Sequence, residues 1–442
     1  MWGLLRYPVA LSATLIAHIA YSCLTSEPAP GQWCETRREP GGKRPHAVRR
    51  RPARTHKDTG HPRPPHSEGA QPIVTRSSNV SDTTGPDGET VPDVDVVCLG
   101  ESMVTFLPSL PGRLADVPSF DRAIGGAESN VACTLARTGH TTRWISRVGT
   151  DGFGDHLVAA IADCGVDTRH VQRDPLRPTG IYFRTAGERA TGVDGEATDR
   201  AEVLYYRAGS AASAMAPGLL DHDALHHARI VHLTGITAAL SGSCLDVLRT
   251  LTRRTPGRPL VSFDVNYRVG LWRNPAQGPE ILLDLVRGCD LVFVGEDEAE
   301  AAWDLHGPDA LRDALPEPAT LVVKQGAAGA TVHDRQADGT DTVTHAPALK
   351  VDIVAPVGAG DAFAAGFLSG TLRELPVHAR LRHGHLMAAA SLTVLGDLGT
   401  PPARALADRL AALDAADWGT LRLGPDWTTD GVRTARVEVP AQ

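Results

Sequence analysis

The stretch DLVFVGEDEAEAAWDLHG (290–307) joins two kinds of local order with no linker between them. Residues 290–295 read as a short apolar strand closed by Gly295, and residues 296–307 as a helix with an acidic start that stops at Gly307. The same unit recurs on both sides. Upstream, PLVSFDVN (259–266) precedes a helix near 275–287, and ARIVHLTG (228–235) precedes CLDVLRTLTRR (244–254). Earlier still, RWISRVG (143–149) leads to FGDHLVAAIADCG (153–165). VDVVCLGE (94–101) reads as a buried strand, and NVACTLARTG (130–139) as a helix stopped by Gly139. Downstream, TLVVKQG (320–326) is one more strand ending in a turn. Alternation of this kind implies an α/β fold with a mostly parallel sheet and helices on both faces. Binding sites in such sheets collect at the carboxyl ends of the strands.

Two stretches break the alternation. One is TFLPSLPGRLADVPSF (105–120); the other is TGIYFRTAGE with AEVLYYRAGS (179–210), two β-like runs around a Gly/Asp-rich connection. They read as strands of a small separate sheet, suited to a lid over a cleft, with an edge hairpin as the plainer alternative.

The chain has 442 residues, 42% of them hydrophobic and 22% charged, enough to bury a large core. Its net charge of -8 argues against a general nucleic-acid binder. No run approaches the ~20 apolar residues of a membrane helix. Seven cysteines without a C-x-x-C pair fit reduced, cytoplasmic thiols better than a disulfide framework. Residues 1–92 differ from the rest: they carry 12 Lys+Arg, 8 Asp+Glu and 12 of the 32 prolines. Too little apolar area is present there to offset chain entropy, so a disordered Pro/Arg-rich extension is expected. PVALSATLIAHIAYSCL (8–24) has the length of a signal h-region, but His18 and Tyr21 interrupt it. His56, His61 and His66 recur every five residues, and no Cys or carboxylate pattern completes a metal site around them.

The chemistry-bearing motif is VGAGDAFAAGFLSG (357–370). Gly358, Ala359 and Gly360 precede an apolar helical run, so their amides can converge at a helix start that also favours anions. Asp361 at that start can act as general base for a hydroxyl while the amides hold charge developing on a phosphoryl group. An ordinary glycine turn with an Asp cap would look the same if the motif stood alone.

It does not stand alone. GGAESN (125–130), SRVGTDGFG (146–154) and GAGDAFAAGF (358–367) occur in the order and spacing of the signatures of the PfkB/ribokinase family of carbohydrate kinases, which residues 94–415 resemble. DVNYRVGLW (264–272), EVLYYRAGSAASAMAP (202–217) and HLTGITAAL (232–240) are similar to the 2-keto-3-deoxygluconate kinases of that family. The resemblance implies a ribokinase-like, Rossmann-type sheet with a small β-sheet lid used in homo-oligomer contacts. It implies ATP and Mg2+ as cofactors and phosphorylation of 2-dehydro-3-deoxy-D-gluconate at the 6-position. A neutral sugar such as ribose or fructose, or a sugar-binding homologue without turnover, are the competing readings.

Residue by residue, it implies a sugar site at Gly125, Gly126, Asn130, Tyr182, Tyr205, Arg207, Arg268 and Asp397. Arg207 and Arg268 have the planar fork that suits a substrate carboxylate. Asn130 is equally placed to cap the helix that follows it. On the nucleotide side it implies Lys324, one of only four lysines in the chain, with Gly326 and Gly329 shaping a turn. Glu298 matches the acid of an N-x-x-E stretch associated with magnesium. Gly295 replaces the Asn of that stretch, and Ala355 stands where the second signature usually has Asp or Asn. These departures bear on the metal contact and on the anchoring of the 355–358 loop. The domain is expected to span 93–415, with 416–442 a tail.

Overall fold

The computed structural model describes residues 93–110, 112–185 and 202–429. The N-terminal extension, the Gly/Asp-rich connection and the last residues of the tail lie outside the described residues. In chain order the strands are β1 (Val94–Leu99), β2 (Met103–Pro108), β3 (Phe120–Gly125), β4 (Thr142–Ile145), β5 (Arg147–Gly149), β6 (Gln172–Asp174), β7 (Ile181–Arg184), β8 (Val203–Tyr206), β9 (Ala228–Thr234), β10 (Leu260–Asp264), β11 (Leu291–Gly295), β12 (Thr320–Lys324), β13 (Ala330–Arg335) and β14 (Asp341–Ala346).

Eight of them form the central sheet, ordered β14-β13-β12-β11-β10-β9-β1-β4. From β4 to β12 every pairing is parallel; β13 and β14 close the edge antiparallel. The period of two sorts β1 between two cores. Val97 and Leu99 point to the helices Gly242–Thr252 and Gly278–Arg287, while Val96 and Cys98 point to the helices Ala127–Arg137 and Ala359–Leu372. Helices therefore cover both faces, as the alternation predicts. Because β4 and β9 flank β1 on opposite sides, the strand order reverses at β1, and a crevice opens beyond the strands' carboxyl ends.

The second sheet has the order β3-β2-β7-β8. The stretch 105–120, read as lid strand, is mostly loop: pairing stops at Pro108 and resumes at Phe120. Pro108, which offers no ladder donor, is the last residue of β2 in this register. On one face of this sheet Phe106 stacks on Phe183 with centroids 4.7 Å apart, and Phe120 and Tyr206 meet the same ring edge-on.

The helix Ala359–Leu372 is apolar all round and is buried from Ala362 to Gly370. It lies tight against the helix Val377–Leu392, where a Cβ on Gly366 would come within 2.4 Å of the His383 carbonyl oxygen. Residues 416–429 are not a tail. Trp418, Leu421, Leu423 and Trp427 are buried in a third cluster, and the pair Arg422–Leu423 hydrogen-bonds as a strand to Lys350–Val351. Two tryptophans in that stretch carry too much apolar area to remain solvated. The described cysteines, Cys98, Cys133, Cys164, Cys244 and Cys289, are buried free thiols. Among the described residues no helix is long and apolar enough to cross a membrane.

Two buried imidazoles tie this core to pH. His232 on β9 sits 3.1 Å from the Ser262 hydroxyl, and burial, followed by nearby Lys324, pushes its pKa down to about 3. His385 meets the Ala346 carbonyl at 3.1 Å, and burial lowers it to about 4. Both rings are neutral in the fold, whereas the unfolded chain protonates them near pH 6.5. Their contribution is intact above that pH and declines as pH falls toward 4, by about 2 kcal/mol per ring between pH 7 and 5. Denaturant midpoints at both pH values should show the wild type losing stability and His232→Asn losing about half as much from these rings. An identical decline in the two proteins would remove His232 as a cause.

Candidate active site

The central strands end in a row of polar groups. Thr234 closes β9, Asp264 closes β10, Gly295 closes β11 and Lys324 closes β12. Gly100 and Glu101 follow β1. The helix Ala359–Leu372 begins above the same edge. Gly358 is its N-cap, in the left-handed region at φ 72°, where a Cβ would also lie 2.2 Å from the Asp397 carbonyl oxygen. Only glycine meets both demands. A Cβ on Gly360 would meet just one atom outside the helix, the Lys324 ammonium nitrogen at 3.6 Å. The exposed helix start and the lysine thus converge on one spot, a site for an anion.

Asp361 is half-buried in the first helical turn, and it is not the cap: no side chain caps this helix. Its Oδ2 accepts a 2.8 Å hydrogen bond from Asn130 Nδ2. Asn130 lies within the helix Ala127–Arg137, whose N-cap is Gly126, so the capping role weighed for Asn130 is excluded. Sequence reasoning placed both residues at the site but did not foresee that they touch.

Lys324 is held between acids. Its Nζ donates to both oxygens of Asp264, at 2.9 and 2.7 Å. Burial opposes its charge, but Asp264, Glu298 and Asp361 outweigh burial and raise its pKa. Burial pushes the Asp264 carboxyl upward in spite of the lysine. Glu298 is also buried; Lys324 and Arg268 overcome that burial and hold its carboxyl below the usual range. Asp264 was passed over as a site residue, although it heads the D-x-N-x-R stretch at a strand's carboxyl end. That position was the available signal.

Glu298, expected to touch magnesium, is occupied. Oε1 accepts from Arg268 at 3.0 Å and Oε2 from the Gly295 amide at 2.9 Å, closing the first turn of the helix Glu296–Trp303. Gly295, without a side chain, leaves that bond to its backbone. Among the described residues no group of three or more His, Cys, Asp or Glu is arranged to hold a metal ion. The donor set therefore does not amount to a protein cage for Mg2+. Arg268, half-exposed, also donates to the Tyr267 carbonyl at 3.1 Å. Ala355 is buried, and the Val354 and Ala355 amides donate to the Leu392 carbonyl at 2.8 and 3.3 Å. Backbone bonds thus anchor the 355–358 loop where a side chain was expected to do so.

The lid contributes from above. Tyr182 donates its hydroxyl to Asp397 Oδ2 at 2.9 Å, and the Tyr205 ring lies 5.4 Å from the Tyr182 ring. A Cβ on Gly125 would strike that hydroxyl at 2.2 Å, and one on Gly126 the Glu101 carbonyl at 2.5 Å, so both glycines serve close approach. Arg207 Nε donates to Glu101 Oε2 at 2.8 Å, Nη2 pairs with the same oxygen, and Ser210 donates to Oε1. Glu101 is buried, and sequence reasoning missed it. Glu128 is buried as well; it accepts from Thr234 and Thr237 at 2.8 and 2.7 Å, and burial raises its pKa. Gly326 and Gly329, both with positive φ, bracket the turn after β12, beside Lys324. A surface hollow of about 430 Å³, lined by Arg254, Arg258 and Asp290, opens at the strands' opposite ends, away from this chemistry.

A helix start carrying a carboxylate, with a lysine beside it, below a small sheet at the carboxyl ends of a parallel one, defines a phosphotransferase of ribokinase-like fold. The model for pfkB family carbohydrate kinases matches residues 93–404, and the chain belongs to that family. It is similar to the 2-dehydro-3-deoxygluconokinase of Bacillus subtilis, at 33% identity over 72% of this chain and 96% of the relative. It is also similar to a chloroplastic protein of Arabidopsis thaliana named as a fructokinase, at 30% identity over 70% of this chain and 79% of the relative. Among solved structures, that of an uncharacterized sugar kinase of Pyrococcus horikoshii in complex with ATP shares 26% identity, with a TM-score of 0.59 over 73% of this chain and 99% of that one.

Proposed function

We propose that this kinase phosphorylates a sugar acid, 2-dehydro-3-deoxy-D-gluconate first among them, giving the 6-phosphate and ADP. The observation that carries the phosphotransfer reading is Asp361 at the exposed helix start, held by Asn130 and facing the charge of Lys324. Asp361 takes the proton from the attacking hydroxyl, and Asn130 fixes the carboxylate oxygen it bonds. The amides of Gly358, Ala359 and Gly360, with Lys324, hold the charge on the transferring phosphoryl group. ATP supplies that group, with the turn at Gly326 and Gly329 beside it. Magnesium would come bound to the nucleotide, since it keeps several waters and needs only one or two carboxylates besides phosphates. Glu298, with both oxygens engaged, would reach it only through water. Asp397, Tyr182 and Tyr205 would line the sugar beside Gly125 and Gly126.

The acid is favoured by the two guanidinium groups at the cleft, Arg207 and Arg268, and by the similarity to a 2-dehydro-3-deoxygluconokinase. One observation favours a neutral sugar instead: both arginines already face protein carboxylates. The similarity to a named fructokinase points the same way. We further propose that the lid pairs with a second copy of this chain. Leu204 and Tyr206 on β8 are 46% and 58% exposed beside the ring cluster, apolar area that a partner would cover.

Asp361→Asn keeps the size of the side chain and cannot accept the proton. Turnover should fall by about 10²–10⁴ with the melting temperature unchanged. Near-normal turnover would take Asp361 out of the mechanism.

For the substrate, kcat/KM is to be compared for sugar acids and neutral sugars in wild type and Arg207→Lys, which keeps the charge and loses the fork. A carboxylate contact predicts a drop of about 10–100-fold for the acid alone, the worth of a charged hydrogen bond. Equal drops would make Arg207 a lid residue, and a wild type preferring neutral sugars would reject the acid.

For the lid, sedimentation should give a dimer that Tyr206→Glu dissociates. A wild-type monomer at micromolar concentration would end that proposal.

A further inference from the structure

We infer that Arg184, on lid strand β7, is a positioning residue that sets the helix start at Gly358 and the lid to one another. The inference rests on the kinase reading above for its consequence, but not for its geometry.

Arg184 is one of the largest fully buried side chains in the fold. Its Nη2 donates to Asp397 Oδ1 at 3.0 Å and to the Leu395 carbonyl at 2.7 Å. Two strand positions away in space along the same face, Tyr182 donates to the other oxygen of Asp397. The lid strand thus grips one carboxylate at both oxygens and the adjoining backbone as well. That backbone in turn touches the anion-binding turn. The Asp397 carbonyl occupies the space a Cβ on Gly358 would need. The Ser391 hydroxyl lies 3.0 Å from the Val357 carbonyl and 3.3 Å from the Asp397 carbonyl, a donor shared between the two loops. A continuous path therefore runs from β7 through Asp397 and Ser391 to Val357, the residue before Gly358.

Stability alone does not account for the pair. The side chains of Arg184 and Asp397 are 2% and 6% exposed, and desolvating two charges offsets much of their attraction. Arg184 Nε is buried with no hydrogen-bond partner, so the guanidinium is not fully satisfied. What the arrangement does supply is direction: Asp397 is held from two sides, and the loop that supports Gly358 is held with it. Displacing β7 must then disturb the Gly358–Gly360 amides, which couples lid position to the competence of the site.

The experiment uses the full chain with Arg184→Met, which keeps length without charge, and Arg184→Lys, which restores the charge. Amide hydrogen exchange across residues 356–361 is measured without substrate, and kcat and KM are measured on whichever sugar the wild type accepts. Arg184→Met should speed exchange in that segment by about tenfold or more and lower kcat at least tenfold, with partial recovery in Arg184→Lys. A lower melting temperature with unchanged exchange at 356–361 and unchanged kcat would overturn the inference and leave Arg184 a lid-packing residue. If Arg184→Met does not fold, Arg184→Lys decides by the same two readouts. If the wild type phosphorylates no sugar, the kinase reading fails, and the exchange comparison still judges the coupling by itself.

Discussion

Lys324 sits between Asp264 and Glu298 at the carboxyl ends of three adjacent parallel strands, and the rest of the site is built around that balance. A lone ammonium buried there would lose its proton. Two carboxylates without it would take one up. Together they keep a permanent positive charge next to the helix start at Gly360. Arg268 pairs with the second acid, and Asp361 approaches the cluster as a further carboxylate. Parallel pairing brings this about: strands that run together end together, and their last residues face one crevice.

Much of this was legible in the sequence because it is written in short local patterns. Strand–helix alternation gave the parallel sheet, and the small residues before Asp361 gave the anion-binding helix start. The lid was legible as a break in that alternation, but its exact strands were not, because pairing stops at Pro108 and the run itself still looks β-like. What stayed hidden was pairing over distance. Nothing local in VKQG or SFDVN says that Lys324 and Asp264 meet, or that Asn130 reaches Asp361 across 231 positions. Glu101, Arg184 and Ser391 were missed for the same reason: each acts through a partner far away in the chain. The burial of Trp418 and Trp427 was missed because the reading stopped where the family resemblance stopped, although two tryptophans in a short stretch are a signal for core.

Substrate choice turns on what an engaged arginine can still do. Glu101 takes Nε and Nη2, one edge of the Arg207 guanidinium. A guanidinium has five donors in a planar fork and can serve a second carboxylate from its other edge. In that geometry Glu101 would not compete with a substrate acid, and it would orient the arginine toward one. The charge balance still has to close, because a substrate carboxylate beside the Arg207–Glu101 pair would bring a second negative charge to a single cation. Arg268 is a second cation that could meet that demand, half-exposed and bonded to Glu298 through Nη1. A neutral sugar makes no such demand, and it leaves both ion pairs as they stand. The acid and the neutral sugar are thus separated by whether the Arg268–Glu298 pair can spare part of its fork, a question of side-chain geometry at the mouth of the cleft and not of the fold beneath it.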